Sequence, residues 1–204
     1  MKLQSPLPAF STLYTTINLM VRDNPYARQA KRTTQINVVG QGVKLQSQVM
    51  SLRGNKRDDR INRLIEAKWE MWTRATNCDV AGRYSFHQIE WIVAGALPES
   101  GEALIRLVRR PFGKSKIPLA LQVLESDLID EEFNGPTLSA TNEWRNGVEV
   151  NEWGRPVRYA ILTRHPGDYW FQAAPQRNEK HIFLSADEVI HLYLPDRPFQ
   201  NRGV

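Results

Sequence analysis

The sequence predicts an α+β fold, with N-terminal helices packed on a largely antiparallel sheet. Three observations carry that expectation. Helix signals, meaning caps and apolar stripes at a spacing of three and four, fall before residue 100. Alternating, β-branched runs bounded by turn residues fall after it. An apolar content of 41% with six tryptophans in 204 residues is enough for a folded core.

Met1 to Phe10 is spaced by Pro6 and Pro8 and reads as a loose arm. Leu13, Ile17, Met20 and Val21 share a helical face and predict a short helix ending before Pro25. Residues 1–20 are therefore expected to form an arm and short helix, and residues 21–204 the folded body. Asn24 can cap a second helix by accepting a first-turn amide, and Pro25 suits its first position, where the missing N–H is not needed. That helix runs to about Val38, with Gly40 or Gly42 at its left-handed end. Val43 to Val49 alternates apolar and polar residues and predicts a strand.

Ser51 to Arg57 reads as a polar loop. Asp58 or Asp59 then caps a helix whose stripe is Ile61, Leu64, Ile65, Trp69 and Trp72. Such a stripe is core before it is a base-stacking platform. Asn77 to Arg83 is a turn. Ser85 and Gln88 match a capping box, and Tyr84 with Ile89 a hydrophobic staple. Phe86, Ile89, Ile92, Val93, Ala96 and Leu97 should face inward, with Pro98 stopping the helix. Strands are predicted over 102–108, 119–124, 148–150, 157–162, 181–184 and 189–194, with Asn151 to Pro156 as a hairpin turn. Residues 126–146 and 164–180 are expected to be exposed loops.

The same residues exclude several function classes. With Cys78 as the single cysteine, no internal disulfide can form, which suits a reducing compartment or a redox-indifferent protein. No apolar run approaches the roughly 20 residues of a membrane span. Cys78 and His87 lack the signature of a nucleophile and base, and Cys78 reads as a small apolar turn residue. His165, His181 and His191 are scattered. Asp187, Glu188 and His191 come close together only at a strand entrance, which reads as a polar edge and not a metal site. Glu99 and Glu102 flank a helix-to-strand turn and read as solvated carboxylates. Gly40 and Gly42 follow a helix instead of opening one, so no phosphate loop is present. No catalytic residue, cofactor or metal is expected.

Charge is uneven. Residues 1–60 carry ten Lys/Arg against three acids, a balance of +7; the remainder carries 17 against 19, a balance of −2. The clusters Arg28 to Arg32, Arg53 to Arg57, and Arg109-Arg110 with Lys114 and Lys116 could meet phosphate, but they lack interleaved aromatics. A small basic nucleic-acid-binding module is the alternative reading they support.

Several segments, in order, resemble the lambda-type portal proteins of tailed bacteriophages. They are Val21 to Arg28 with Asn37 to Gly42; Trp69 to Trp72 with Cys78 to Arg83 and Ser85 to His87; Glu99 to Leu107; Leu119 to Asp127; Asn146 to Val157; and Asp187 to Leu192 with Asp196 to Val204. The resemblance covers about residues 20–204. Two positions depart from the family pattern: Pro98 stands where an apolar residue usually continues a helix, and Phe199 where a glycine usually precedes Gln200. The resemblance implies a wing-like α+β body, residues 21–204, packed between neighbouring subunits of a typically dodecameric ring, with stem, clip and crown absent. It implies a structural role at one capsid vertex in virion assembly, DNA packaging and genome ejection, in the virion and, during assembly, in the host cytoplasm. The implied partners are other portal subunits, capsid and scaffold proteins, the terminase and head-completion proteins through the absent regions, and DNA, without a membrane.

Overall fold

The computed structural model describes residues 10–51, 54, 56–139, 141–165 and 180–203. Among them the helices come first: α1 (Phe10–Asp23), α2 (Pro25–Val39), α3 (Asp59–Trp72), the single turn α4 (Ala75–Cys78) and α5 (Phe86–Ser100). The strands follow: β1 (Glu102–Val108), β2 (Ala120–Leu124), β3 (Gly135–Pro136), β4 (Glu143–Arg145), β5 (Val148–Val150), β6 (Pro156–Leu162), β7 (His181–Ser185) and β8 (Val189–Tyr193). The fold is α+β, and the strand pairs within its two sheets are antiparallel.

The caps form as the sequence indicates. The Asn24 side chain accepts the Tyr26 amide, and Asp58 accepts that of Ile61 at 3.0 Å. Ser85 and Gln88 make both halves of the capping box: the Gln88 amide donates to Ser85 Oγ, and the Ser85 amide to Gln88 Oε1 at 2.8 Å. Pro98 does not stop α5. It lies in the last turn, where one lost backbone bond is tolerated, and the stop comes at left-handed Gly101, whose amide reaches the Leu97 carbonyl.

The strands form two sheets, one ordered β2-β1-β8 and the other β3-β4-β5-β6-β7. The 3-10 turn Ala186–Glu188 carries the chain from β7 in the second sheet to β8 in the first. Strand β1 serves both cores, because alternate side chains point to opposite faces. Leu104 joins Ile129, Val148, Val150, Tyr159, Ile161, Leu184 and Val189 between the sheets. Ala103 and Ile105 join Trp72, Cys78, Ile89, Val93 and Leu121 beneath the helices. The result is helices, a middle sheet and a second sheet, stacked in that order. Trp69, Trp72 and Phe86 form an aromatic cluster with ring centroids 5.2–5.4 Å apart, and Trp72 Nε1 donates to the Leu119 carbonyl at 2.7 Å.

Three local expectations need correction. Residues 43–49 join no sheet; the segment lies on α3 and α5, held by side chains. Leu64, expected in the inward stripe, is exposed, and Asn62 is buried, bonding Ser47 and both backbone groups of Val49. Residues 126–146 are not one exposed loop. Ser126, Ile129, Asp130 and Trp144 are buried, and the segment contains the 3-10 turn Ser126–Leu128 with β3 and β4. Strands of two or three residues are too short to show a period. The expected loop 164–180 lies mostly outside the described residues, as does the arm before residue 10. Strand β6 begins at Pro156 and β2 at Ala120, each one residue from its expected start.

Candidate functional site

The chemistry concentrates at a charged joint where the two sheets meet. Glu102 opens β1 and is fully buried. It is not the solvated turn carboxylate that its sequence position suggests. Arg202 grips it from the end of the described chain: Nη2 lies 2.6 Å and Nε 2.9 Å from Oε1. His191 Nε2, on β8, lies 3.0 Å from Oε2, and the Gly203 amide donates to the same oxygen at 2.8 Å. The remaining Arg202 donors cross to the second sheet side, with Nη1 on the Asn146 carbonyl at 2.9 Å and Nη2 near that of Ser126. Gly203 passes so close to the Gly101 carbonyl that a Cβ would collide with it.

Burial pushes the Glu102 carboxyl up. The hydrogen bonds from His191 and Arg202 and the Arg202 charge outweigh it and hold the group down at about 2. A buried carboxylate with this many donors is satisfied. The joint therefore fixes structure: it pins β1, β8, the β4–β5 turn and residues 200–203 to one another. The segment adds further ties, from Tyr193 Oη to the Gln200 carbonyl at 2.8 Å and from Asn201 Nδ2 to that of Arg145 at 2.8 Å.

The other candidates stay apart. Cys78 is buried, its sulfur 3.5 Å from the Thr73 and Tyr84 carbonyls, and burial pushes its thiol up to about 11. A thiol so protonated is a poor nucleophile at neutral pH. His87 is half exposed and faces Glu90, not Cys78. His165 faces Glu125 at 3.0 Å and Asp127 at 3.6 Å, and His181 faces Asp130 at 2.6 Å. Asp187 and Glu188 sit in the 3-10 turn before β8, while His191 turns inward to Glu102. Among the described residues no group of three or more His, Cys, Asp and Glu could hold a metal ion, and no helix is long and apolar enough to cross a membrane.

Among the described residues, several of the clustered bases are engaged within the chain. Arg28 reaches back to the Arg22 carbonyl, and Lys31 pairs with Glu99. Arg109 approaches the Asp187 carbonyl, and Arg110 lies 5.6 Å from the Phe112 ring centroid. Arg53 lies outside the described residues. Large apolar side chains are exposed instead: Tyr26 on α2 at 85%, Trp153 on the β5–β6 turn at 75%, Leu194 at 74% and Phe199 at 78%.

A profile of the lambda family of phage portal proteins matches residues 4–204. The chain belongs to that family. It is also 36% identical over 179 residues to the probable portal protein of Halomonas phage phiHAP-1, an alignment that covers 87% of this chain and 33% of that protein. The chain spans about a third of the length of this portal relative. Neither finding supports a free-standing nucleic-acid module. The joint now has a place in a portal-family chain: Glu102, His191 and Arg202 lie in three separated segments of the matched region. Sequence reading missed it. Its only signal was a carboxylate opening an otherwise apolar strand, Glu102-Ala103-Leu104-Ile105, and a histidine within another, Val189-Ile190-His191-Leu192.

Proposed function

We propose that this chain is a structural part of a phage portal, the ring that occupies one capsid vertex and through which DNA enters and leaves the head. The family match over 4–204 carries the reading. The geometry is consistent with it. The conspicuous buried polar cluster is a satisfied joint of the fold, and large apolar side chains such as Tyr26, Trp153 and Phe199 stand exposed. Its partners in this reading are further copies of the chain and proteins of the capsid and scaffold. Residues 21–204 serve as the wing-like body of each subunit, with no bond chemistry of its own. Deleting the coding region from the phage or prophage genome tests the role. Heads should then form without DNA or fail to form, and infectivity should return when the gene is supplied in trans. DNA-filled, infectious particles from the deletion would refute it.

A further inference from the structure

Residues 43–49 have the pattern of a strand and no sheet. Their backbone follows strand parity. The amides of Val43, Ser47 and Val49 all turn toward the helices, donating to Glu90, to Glu66 at 3.0 Å and to Asn62 at 2.8 Å. Gly42, at a φ of +77° and packed against the side chains of His87 and Glu90, turns the chain into the segment. In an extended chain alternate backbone groups point to opposite sides, so those of Lys44, Gln46 and Gln48 face away from the helices. Val43, Leu45 and Val49 remain exposed. The segment is one half of a ladder, held open by side chains.

The other half is on the same chain. β8 is an edge strand of the middle sheet. Ile190, Leu192 and Leu194 alternate along and just past it, and all three are exposed. The other edges are worse acceptors. β2 is already met at the Leu121 carbonyl by the Val80 amide at 3.0 Å, β3 has two residues, and β7, the outer edge of the second sheet, exposes the consecutive pair Ile182 and Phe183 instead of an alternating row. Charge completes the match. Residues 10–50 carry five Lys/Arg against Asp23 alone, a balance of +4, whereas the exposed acids Asp187 and Asp196 bracket β8, with Lys180 and Arg197 further out.

We infer that residues 43–49 of one copy add as a strand to the β8 edge of a second copy. Donor and acceptor surfaces differ, so the contact is heterologous and can repeat from copy to copy, as a ring requires. The inference rests on the assembly reading and names its contact surface. The two surfaces cannot pair within one chain while 43–49 stays seated on its own α3 and α5 and β8 stays on β1.

Cysteine crosslinking tests it on the whole chain, because Cys78 is buried and stays silent. A chain carrying both Gln46→Cys and Leu192→Cys, treated with a short bifunctional maleimide, should give a ladder of crosslinked multimers. Either single variant alone should give none, and a mixture of the two should stop at a dimer. With the cysteines moved to Gln48→Cys and Leu192→Cys, adding Gln46→Pro removes one outward amide and should cut the ladder's yield by about tenfold. Exposed Asp187→Lys with Asp196→Lys should cut it similarly, and more at low salt. A single variant that crosslinks to itself, a yield indifferent to these changes, or no ladder at any concentration would overturn the inference. So would capture of β8 by capsid protein in place of a second copy. Association that persists in light scattering without these crosslinks removes this contact and leaves the portal reading standing.

Discussion

Arg202 is the side chain on which the buried joint between the sheets converges. Removing one partner of a buried ion pair leaves the other charged and unsatisfied, at a cost of roughly 3–5 kcal/mol. Arg202→Met should lower stability by that order, read as a shift in the denaturant midpoint. The pH dependence has a fixed sign. Glu102 is held at about 2 in the folded chain against an ordinary 4.5. Its contribution is therefore complete above about pH 4.5 and is lost as pH falls toward 2. Stability of the native chain should drop over that window, and Glu102→Gln should flatten the drop. An equal drop in both chains would assign acid sensitivity to other carboxylates. Phe199 is the opposite case. It is exposed, has φ of +63°, and its ring sits against Gly154. The residue is where the family resemblance places a glycine, and the left-handed backbone supplies the reason. Phe199→Gly should stabilise by about 1 kcal/mol through relief of that strain. A lower melting temperature would show that the ring contact outweighs the backbone.

At the scale of elements, what could be read in advance was whatever the local chain controls. Asn24, Asp58 and Ser85 announce helix starts because a cap needs only its own first turn. Ser85→Ala should cost about 1 kcal/mol and speed hydrogen exchange at the amides of His87 and Gln88. Unchanged exchange there would place the start of α5 elsewhere. Elements settled by distant partners were illegible. Residues 43–49 alternate like a strand, yet α3 and α5 supply carboxylate and amide side chains in place of a neighbouring strand. Residues 126–146 look like a polar loop because Ile129 and Trp144 are isolated apolar residues among acids. Only the fold shows that both are buried, with Ile129 part of the inter-sheet core. One signal there was readable: Asn146-Gly147, both at positive φ, is the turn of the β4–β5 hairpin. Glu102 was misread for the same reason as the strand. Its partner Arg202 is a hundred residues away in the chain.

At the scale of the molecule, the joint and the surfaces serve different ends. The joint makes the two sheets and residues 200–203 one unit. The surfaces leave α2, the 43–49 segment and β8 open to other chains. A five-residue strand contact falls short of the roughly 1,200 Å² that stable interfaces bury. The isolated chain should therefore be mainly monomeric at micromolar concentration in light scattering, with an average mass that climbs on concentration. A mass independent of concentration would leave these surfaces without a self-association role.

The most direct measurement is where the chain sits in a particle. Antibody against residues 21–204, applied to opened phage heads and viewed by electron microscopy, should mark a single vertex per head. Label at every vertex, label spread over the shell, or no label on any particle would contradict the assignment to a portal.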